Sequence, residues 1–273
     1  MKKLILSALI FVFAGILTAC GSNNAGDSNS KEIVVAATKT PHAELLEETE
    51  PLLKEKGYTL KVETFSDYKM YNKALAEKEV DANFFQHIPY LEQEKKDNDY
   101  DLVNAGAIHL EPFGIYSKKV KSLNELPDGA KVILTNNVAE QGRMLALLQK
   151  AGLIKLDSKV EAVNATEKDI VENKKNLKFE KIAPELTAKA YENNEADAVF
   201  INVNYAIQNK LNPKKDAIEL ESPENNPYAN IIAVRKGDES SEKIKALLEA
   251  LHSDEIKSFI DEKYNGSVLP VSE

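Results

Sequence analysis

Ile33-Val-Val-Ala-Ala37, the leucine-bearing segment that opens at Pro41, and Tyr58-Thr-Leu-Lys-Val-Glu63 together decide how this chain folds. The first is a short, uninterrupted apolar run, as expected of a strand buried on both faces. The second carries Leu45, Leu46, Leu52 and Leu53 at helical spacing, with Pro41 at its start and Gly57 as its C-terminal stop. In the third, Tyr58, Leu60 and Val62 alternate with Thr59, Lys61 and Glu63, which is strand periodicity. A helix is expected over about Tyr68–Glu79, then a strand entering Asn83-Phe84-Phe85. This β-α-β-α-β order predicts an α/β fold with a mostly parallel sheet covered by helices on both faces.

The pattern returns further along. Ser122-Leu-Asn-Glu125 has capping-box spacing, and Pro127-Asp-Gly129 makes a turn before the strand Lys131-Val-Ile-Leu-Thr135. A helix from about Glu140 presents Met144, Leu145, Leu147 and Leu148 and stops near Gly152. Pro184 opens another helix, followed by strands at Ala198-Val-Phe-Ile201 and Asn230-Ile-Ile-Ala-Val234. A long amphipathic helical region is expected from about Ser241 to Lys263, through Ile244, Leu247, Leu248, Leu251, Ile256 and Ile260. Two α/β modules follow, joined by crossings near Pro112–Ser117 and Pro227–Val234. A chain that crosses twice makes two lobes with a ligand cleft between them. The expected division is 32–114 plus 232–273 for the first lobe and 115–231 for the second.

The N-terminus says where the chain works. Lys2 and Lys3 precede an apolar run from Leu4 to Leu17, too short for a resident membrane helix and suited to a signal peptide over 1–19. Leu17-Thr18-Ala19-Cys20 fits the bacterial lipobox, and Cys20 is the only cysteine. Residues 20–31 then read as the lipidated cysteine and a polar, flexible tether. The expected location is the extracytoplasmic face of the cell membrane, held by acyl chains on Cys20. The net charge of −9 argues against nucleic acid or an anionic surface as partner.

Signs of catalysis are weak. There is no Gly-x-Ser-x-Gly, no phosphate-cradling glycine loop and no His-Glu-x-x-His, so no enzyme activity, metal or cofactor is expected. The four histidines show no metal-ligand spacing; His42 beside Pro41 and His252 in the C-terminal region read as structural. The cluster Asp81-Ala-Asn-Phe-Phe-Gln-His-Ile-Pro-Tyr90 reads as a binding wall. Strand geometry lets Phe85 and His87 point together into a cleft, with one of Phe84 and Phe85 left to the core. Arg143, opening an apolar helix after a strand, can clamp a carboxylate. Asn202 and Asn230 lie at strand ends, where an amide can both donate and accept.

These stretches, with Pro41-His-Ala-Glu44, His109-Leu-Glu-Pro112, Gly142-Arg143, Asn202-Val-Asn-Tyr205 and Pro227-Tyr-Ala-Asn230, resemble the methionine-binding lipoproteins of ABC importers, the MetQ/NlpA family. The resemblance covers the chain from Cys20 onward. It implies a two-lobed, type II-like periplasmic-binding-protein fold that closes around L-methionine and delivers it to a permease and its ATPase. It also implies that Arg143 pairs with the ligand carboxylate and that Asn202 and Asn230 bind the amino and carboxylate groups. Tyr68, Phe85 and His87 would then wall the thioether. In place of the family's Pro-Asn-Asp leading into Asn-x-Gly-Arg, this chain has Thr135-Asn-Asn-Val-Ala-Glu-Gln-Gly-Arg143, beside the expected clamp. A methionine-containing dipeptide or related amino acid is the alternative ligand. A lipid-anchored hydrolase and an adhesin with an incidental pocket are the competing classes.

Overall fold

The computed structural model describes residues 31–65 and 67–271. The expected signal peptide, Cys20 and most of the tether lie outside the described residues. The first sheet begins with β1 (Glu32–Ala37), followed by α1 (Glu44–Glu55) and β2 (Thr59–Glu63). Gly57 turns the chain between them at a φ of 80°, a left-handed conformation in which a Cβ would be strained. Then come α2 (Tyr68–Ala76), β3 (Ala82–His87), α3 (Ile88–Asn98) and β4 (Leu102–Leu110). β1 pairs in parallel with β2 and β3, as the apolar runs require.

The second sheet takes over at β5 (Gly114–Tyr116) and β6 (Lys131–Thr135), with α4 (Val138–Lys150) packed behind them. A small antiparallel pair, β7 (Ile154–Leu156) and β8 (Ile170–Asn173), leads to β9 (Lys178–Ile182) and α5 (Pro184–Glu192). The lobe finishes with β10 (Ala198–Ile201), α6 (Val203–Gln208), the single turn α7 (Pro213–Asp216) and β11 (Ala217–Leu220). The chain then returns to the first lobe as β12 (Ala229–Arg235), α8 (Glu242–Leu251), α9 (Asp254–Tyr264) and β13 (Leu269–Pro270).

The strand orders are β13-β4-β12-β3-β1-β2 and β11-β5-β10-β6-β9. The returning β12 sits between β3 and β4, antiparallel to both, so the second lobe is an excursion from the first, tied to it by two crossings. The crossings fall between Leu110 and Gly114 and between Leu220 and Ala229. Residues 229–231, expected with the second lobe, are thus part of a first-sheet strand. Each lobe has its own apolar core: Ile33, Leu45, Leu46, Phe84 and Ile232 in the first, Ile115, Val132, Leu145, Leu148 and Phe200 in the second.

The expected C-terminal helical region consists of two helices, because the Ser253 hydroxyl accepts from the Ile256 amide and starts a new helix just after His252. β4, not expected, pairs along nearly its whole length with β12 although Asn104 and Gly106 interrupt its apolar pattern. No helix among the described residues is long and apolar enough to cross a membrane.

Candidate functional site

All six expected site residues, Tyr68, Phe85, His87, Arg143, Asn202 and Asn230, line one cavity between the two sheets. The cavity is about 30 Å³, room for roughly one or two waters and not for an amino acid unless the lobes part. Its first-lobe wall comes from β3. Period-two alternation sends Phe84 into the lobe core, edge-on to His42, and Phe85 to the other face, stacked on Tyr71 with ring centroids 4.5 Å apart. Tyr68, first residue of α2, lies 5.6 Å from Phe85 and 5.3 Å from Tyr205 of the opposite lobe. Beneath this wall, Asn72, Asn83 and Gln86 are buried and bonded to one another. Asn72 Nδ2 donates to Gln86 Oε1 at 2.9 Å, and Gln86 Nε2 returns to Asn72 Oδ1 and Asn83 Oδ1. Their polar groups fix β3 against α2 without leaving an amide unpaired.

His87 ends β3 and caps α3. Its Nδ1 accepts from the Tyr90 amide at 3.2 Å, so the neutral ring carries its proton on Nε2. That Nε2 points across the cavity to Glu140 Oε1 at 3.7 Å, too far for a direct hydrogen bond. Burial pushes the His87 imidazole below its ordinary range, against the pull of Glu140.

The second-lobe wall is built from the ends of β6 and β10 and the first turns of α4. Asn137 caps α4 by accepting from Ala139, which points the next turns of the helix at the cleft. Glu140 and Arg143, three residues apart, share a helix face. Gly142 between them lies so close to the carbonyl oxygens of Ala162 and Val163 that any Cβ would collide with backbone. Arg143 is sandwiched by the Phe113 and Tyr228 rings, 5.0 and 4.4 Å from its guanidinium carbon. Its Nε donates to both Glu221 oxygens at 2.8 and 2.9 Å, and its NH2 donates to Glu221 Oε2 and to the Glu111 carbonyl at 2.7 Å. The arginine expected to clamp a ligand carboxylate therefore already holds a protein carboxylate along one edge, and NH1 is the group left for the cleft.

Asn202, at the end of β10, donates from Nδ2 to Glu140 Oε1 at 2.6 Å; its Oδ1 is buried with no partner among the described residues. Asn204 accepts from the Tyr68 hydroxyl at 2.8 Å, a bond that spans the two lobes, while its Nδ2 is likewise buried with no partner among the described residues. Buried polar atoms are nearly always bonded, so an orphaned acceptor and an orphaned donor lining one cavity mark a place for a polar ligand.

Asn230 comes from the start of β12. Its Oδ1 meets His42 Nε2 at 3.0 Å, and His42 Nδ1 meets Thr38 Oγ1 at 2.6 Å. His109 Nε2 meets Glu111 Oε1 at 2.9 Å, and Glu111 Oε2 accepts from the Asn204 amide at 3.1 Å. Burial drives His42 down to about 4, and His109 to about 3, so both rings are neutral near neutral pH; it raises the Glu111 carboxyl. Ligand atoms of His42, His109 and Glu111 lie within 4.8 Å of one another, a closeness that sequence spacing did not show. In this arrangement Glu111 Oε1 and Asn230 Oδ1 accept from the two rings and the cluster orients Asn230, while His109 Nδ1 is buried without a partner among the described residues. His42, expected as structural, holds Asn230 and Thr38, and His252 meets the Ala107 carbonyl at 2.8 Å.

Sequence reasoning missed Glu140, Asn204 and Glu111 as cavity groups and Glu221 as the partner of Arg143. Glu140 resembled any acidic residue in a first helical turn, and Glu221 meets Arg143 only through the fold.

Two α/β lobes joined by two crossings, with polar groups from both converging on one cleft, define a two-lobed solute-binding protein. The chain belongs to the NlpA lipoprotein family, whose family model matches residues 33–272. It is 78% identical to the methionine-binding lipoprotein MetQ of Bacillus subtilis (strain 168) over 274 residues, covering 100% of both chains. It is 37% identical to the D-methionine-binding lipoprotein MetQ of Salmonella typhi over 254 residues, 93% of this chain and 92% of that one. Among solved structures, it resembles a nutrient binding protein from Burkholderia cenocepacia bound to methionine, at 40% identity and a TM-score of 0.83. That match covers 88% of this chain and 100% of the other.

Proposed function

We propose that this chain is the substrate-binding lipoprotein of an ABC importer, which captures L-methionine between its lobes and delivers it to the permease and its ATPase. The observation that carries the reading is the pair of orphaned buried atoms, Asn202 Oδ1 and Asn204 Nδ2, facing the aromatic wall of Tyr68 and Phe85. An amino acid supplies the matching donors and acceptor, and a thioether suits the rings. Arg143 through NH1 and Asn230 take the carboxylate, Asn202 takes the amino group, and Tyr68, Phe85 and His87 enclose the side chain. The lobes turn about the two crossings, and the Tyr68–Asn204 bond belongs to the closed form that the permease recognises. Lipid on Cys20 and the tether that follows keep the body at the extracytoplasmic face of the membrane.

Thr38 and His42 have the spacing of a nucleophile and its base, but an imidazole driven to about 4 is a poor base near neutral pH. This favours capture over hydrolysis. Titration calorimetry with L-methionine on unfolded and refolded protein tests the reading. A single saturable site supports it; no heat and no thermal shift at millimolar L-methionine contradicts it.

A further inference from the structure

Glu140 is buried in the first turn of α4, where the helix dipole favours a carboxylate. Oε1 accepts from Asn202 Nδ2 and Oε2 from Thr135 Oγ1 at 3.0 Å, leaving acceptor capacity on both oxygens. Burial opposes its ionisation, while the Asn202 bond and the nearby Arg143 guanidinium favour it. The surrounding charges do not balance it. Among the described residues, the only arginine or lysine lining the cavity is Arg143, and its guanidinium is already paired with Glu221. Burial disfavours the charged form of His87, the nearest imidazole. With Asn202 Nδ2 committed to Glu140, the atom that Asn202 has left is the buried, unpartnered Oδ1. An ionised carboxylate beside an orphaned acceptor makes a corner suited to a compact cation with several N–H groups.

We propose that Glu140 is the counter-ion of the bound ligand's ammonium group, and that it makes the site select a free α-amino group over des-amino and N-acylated analogues. This rests on the amino-acid-binding reading above and specifies which end of the ligand meets which lobe group. The neutral Asn202 orients the ammonium, while Glu140 supplies the charge.

Calorimetry on the mature chain tests this with L-methionine, its hydroxy acid analogue (hydroxyl in place of ammonium) and N-acetyl-L-methionine, on wild type, Glu140→Gln and Glu140→Asp. Wild type should prefer L-methionine to the hydroxy acid by about a hundredfold or more. Glu140→Gln should shrink that preference at least about tenfold, and Glu140→Asp should keep most of it. Equal wild-type affinity for the two ligands overturns the proposal, as does a folded Glu140→Gln protein with an unchanged preference. If Glu140→Gln does not fold, the wild-type ratio and Glu140→Asp still decide. If wild type binds no methionine, the proposed function fails separately. The charge reading is then read from thermal shifts with the twenty L-amino acids: it stands if one of them stabilises wild type more than Glu140→Gln, and falls if none does.

Discussion

The two walls of the cleft are built on opposite terms. The first-lobe wall is aromatic, and the polar groups behind it, Asn72, Asn83 and Gln86, satisfy one another. The second-lobe wall carries a buried carboxylate at Glu140 and a guanidinium at Arg143, and leaves Asn202 Oδ1 and Asn204 Nδ2 unpaired. One wall mainly sets shape, with Asn230 of β12 as its ligand-facing amide; the other is completed by what it binds. A cleft so divided gains most of its polar binding energy only when the lobes meet, which couples capture to closure.

The largest expected departure comes from the second wall. Arg143→Ala should weaken methionine binding by about a thousandfold or more in calorimetry. It should also lower unfolding free energy by about 3 kcal/mol in urea, since Glu221 loses its buried partner. Glu221→Gln should retain binding, because it releases the guanidinium; loss of binding there as complete as in Arg143→Ala would make the pair a support rather than a clamp. Breaking the first-lobe wall has the reverse profile. Asn72→Ala should cost roughly 3–4 kcal/mol of stability through unpaired buried amides while changing affinity less than about tenfold.

The imidazoles beneath the cleft give a pH signature. His42 has an unfolded value near 6.5 and a folded value of about 4, so the unfolded chain takes up the proton first. Its contribution is complete above about 6.5 and is lost as pH falls toward about 4, of order 2–3 kcal/mol. Urea midpoints at about pH 7 and about pH 4.5 should therefore separate less in His42→Gln than in wild type. An equal separation would remove His42 from the acid response. The smallest effect on binding is expected of Asn202→Ala, a loss of affinity of roughly tenfold, with a stability loss of about 1–3 kcal/mol because the buried Glu140 carboxylate loses its amide donor. Unchanged affinity there would remove the Asn202 Oδ1 from the site.

Much of the frame was legible in the sequence because apolar runs and alternation announce buried strands. Ile33–Ala37, Lys131–Thr135 and Ala198–Ile201 fall where expected. β4 was hidden because its register is set by β12 rather than by its own pattern, with two irregularities along the pair. The helix break at Ser253 was hidden because apolar spacing runs through it. Of the cleft, Phe85, His87, Arg143, Asn202 and Asn230 could be found one by one by their chemistry, Tyr68 only through the family resemblance, and all six line one cavity. Their partners could not: Asn230 meets His42 across 188 positions and Arg143 meets Glu221 across 78. Pairing over such separations is set by topology, and that is where the charge balance of the site resides.

The central claim, that ligand joins the two walls, is tested most directly by a distance across the cleft mouth. Asp97 and Glu185 are exposed and line one surface pocket from opposite lobes. Cys20 is the only native cysteine, so Asp97→Cys and Glu185→Cys give a pair of labelling sites in the folded body. Spin–spin distance measurement should give a longer or broader distribution in refolded protein and a single short distance at saturating L-methionine. An identical distribution with and without methionine, at concentrations where calorimetry shows the site filled, would contradict capture by closure.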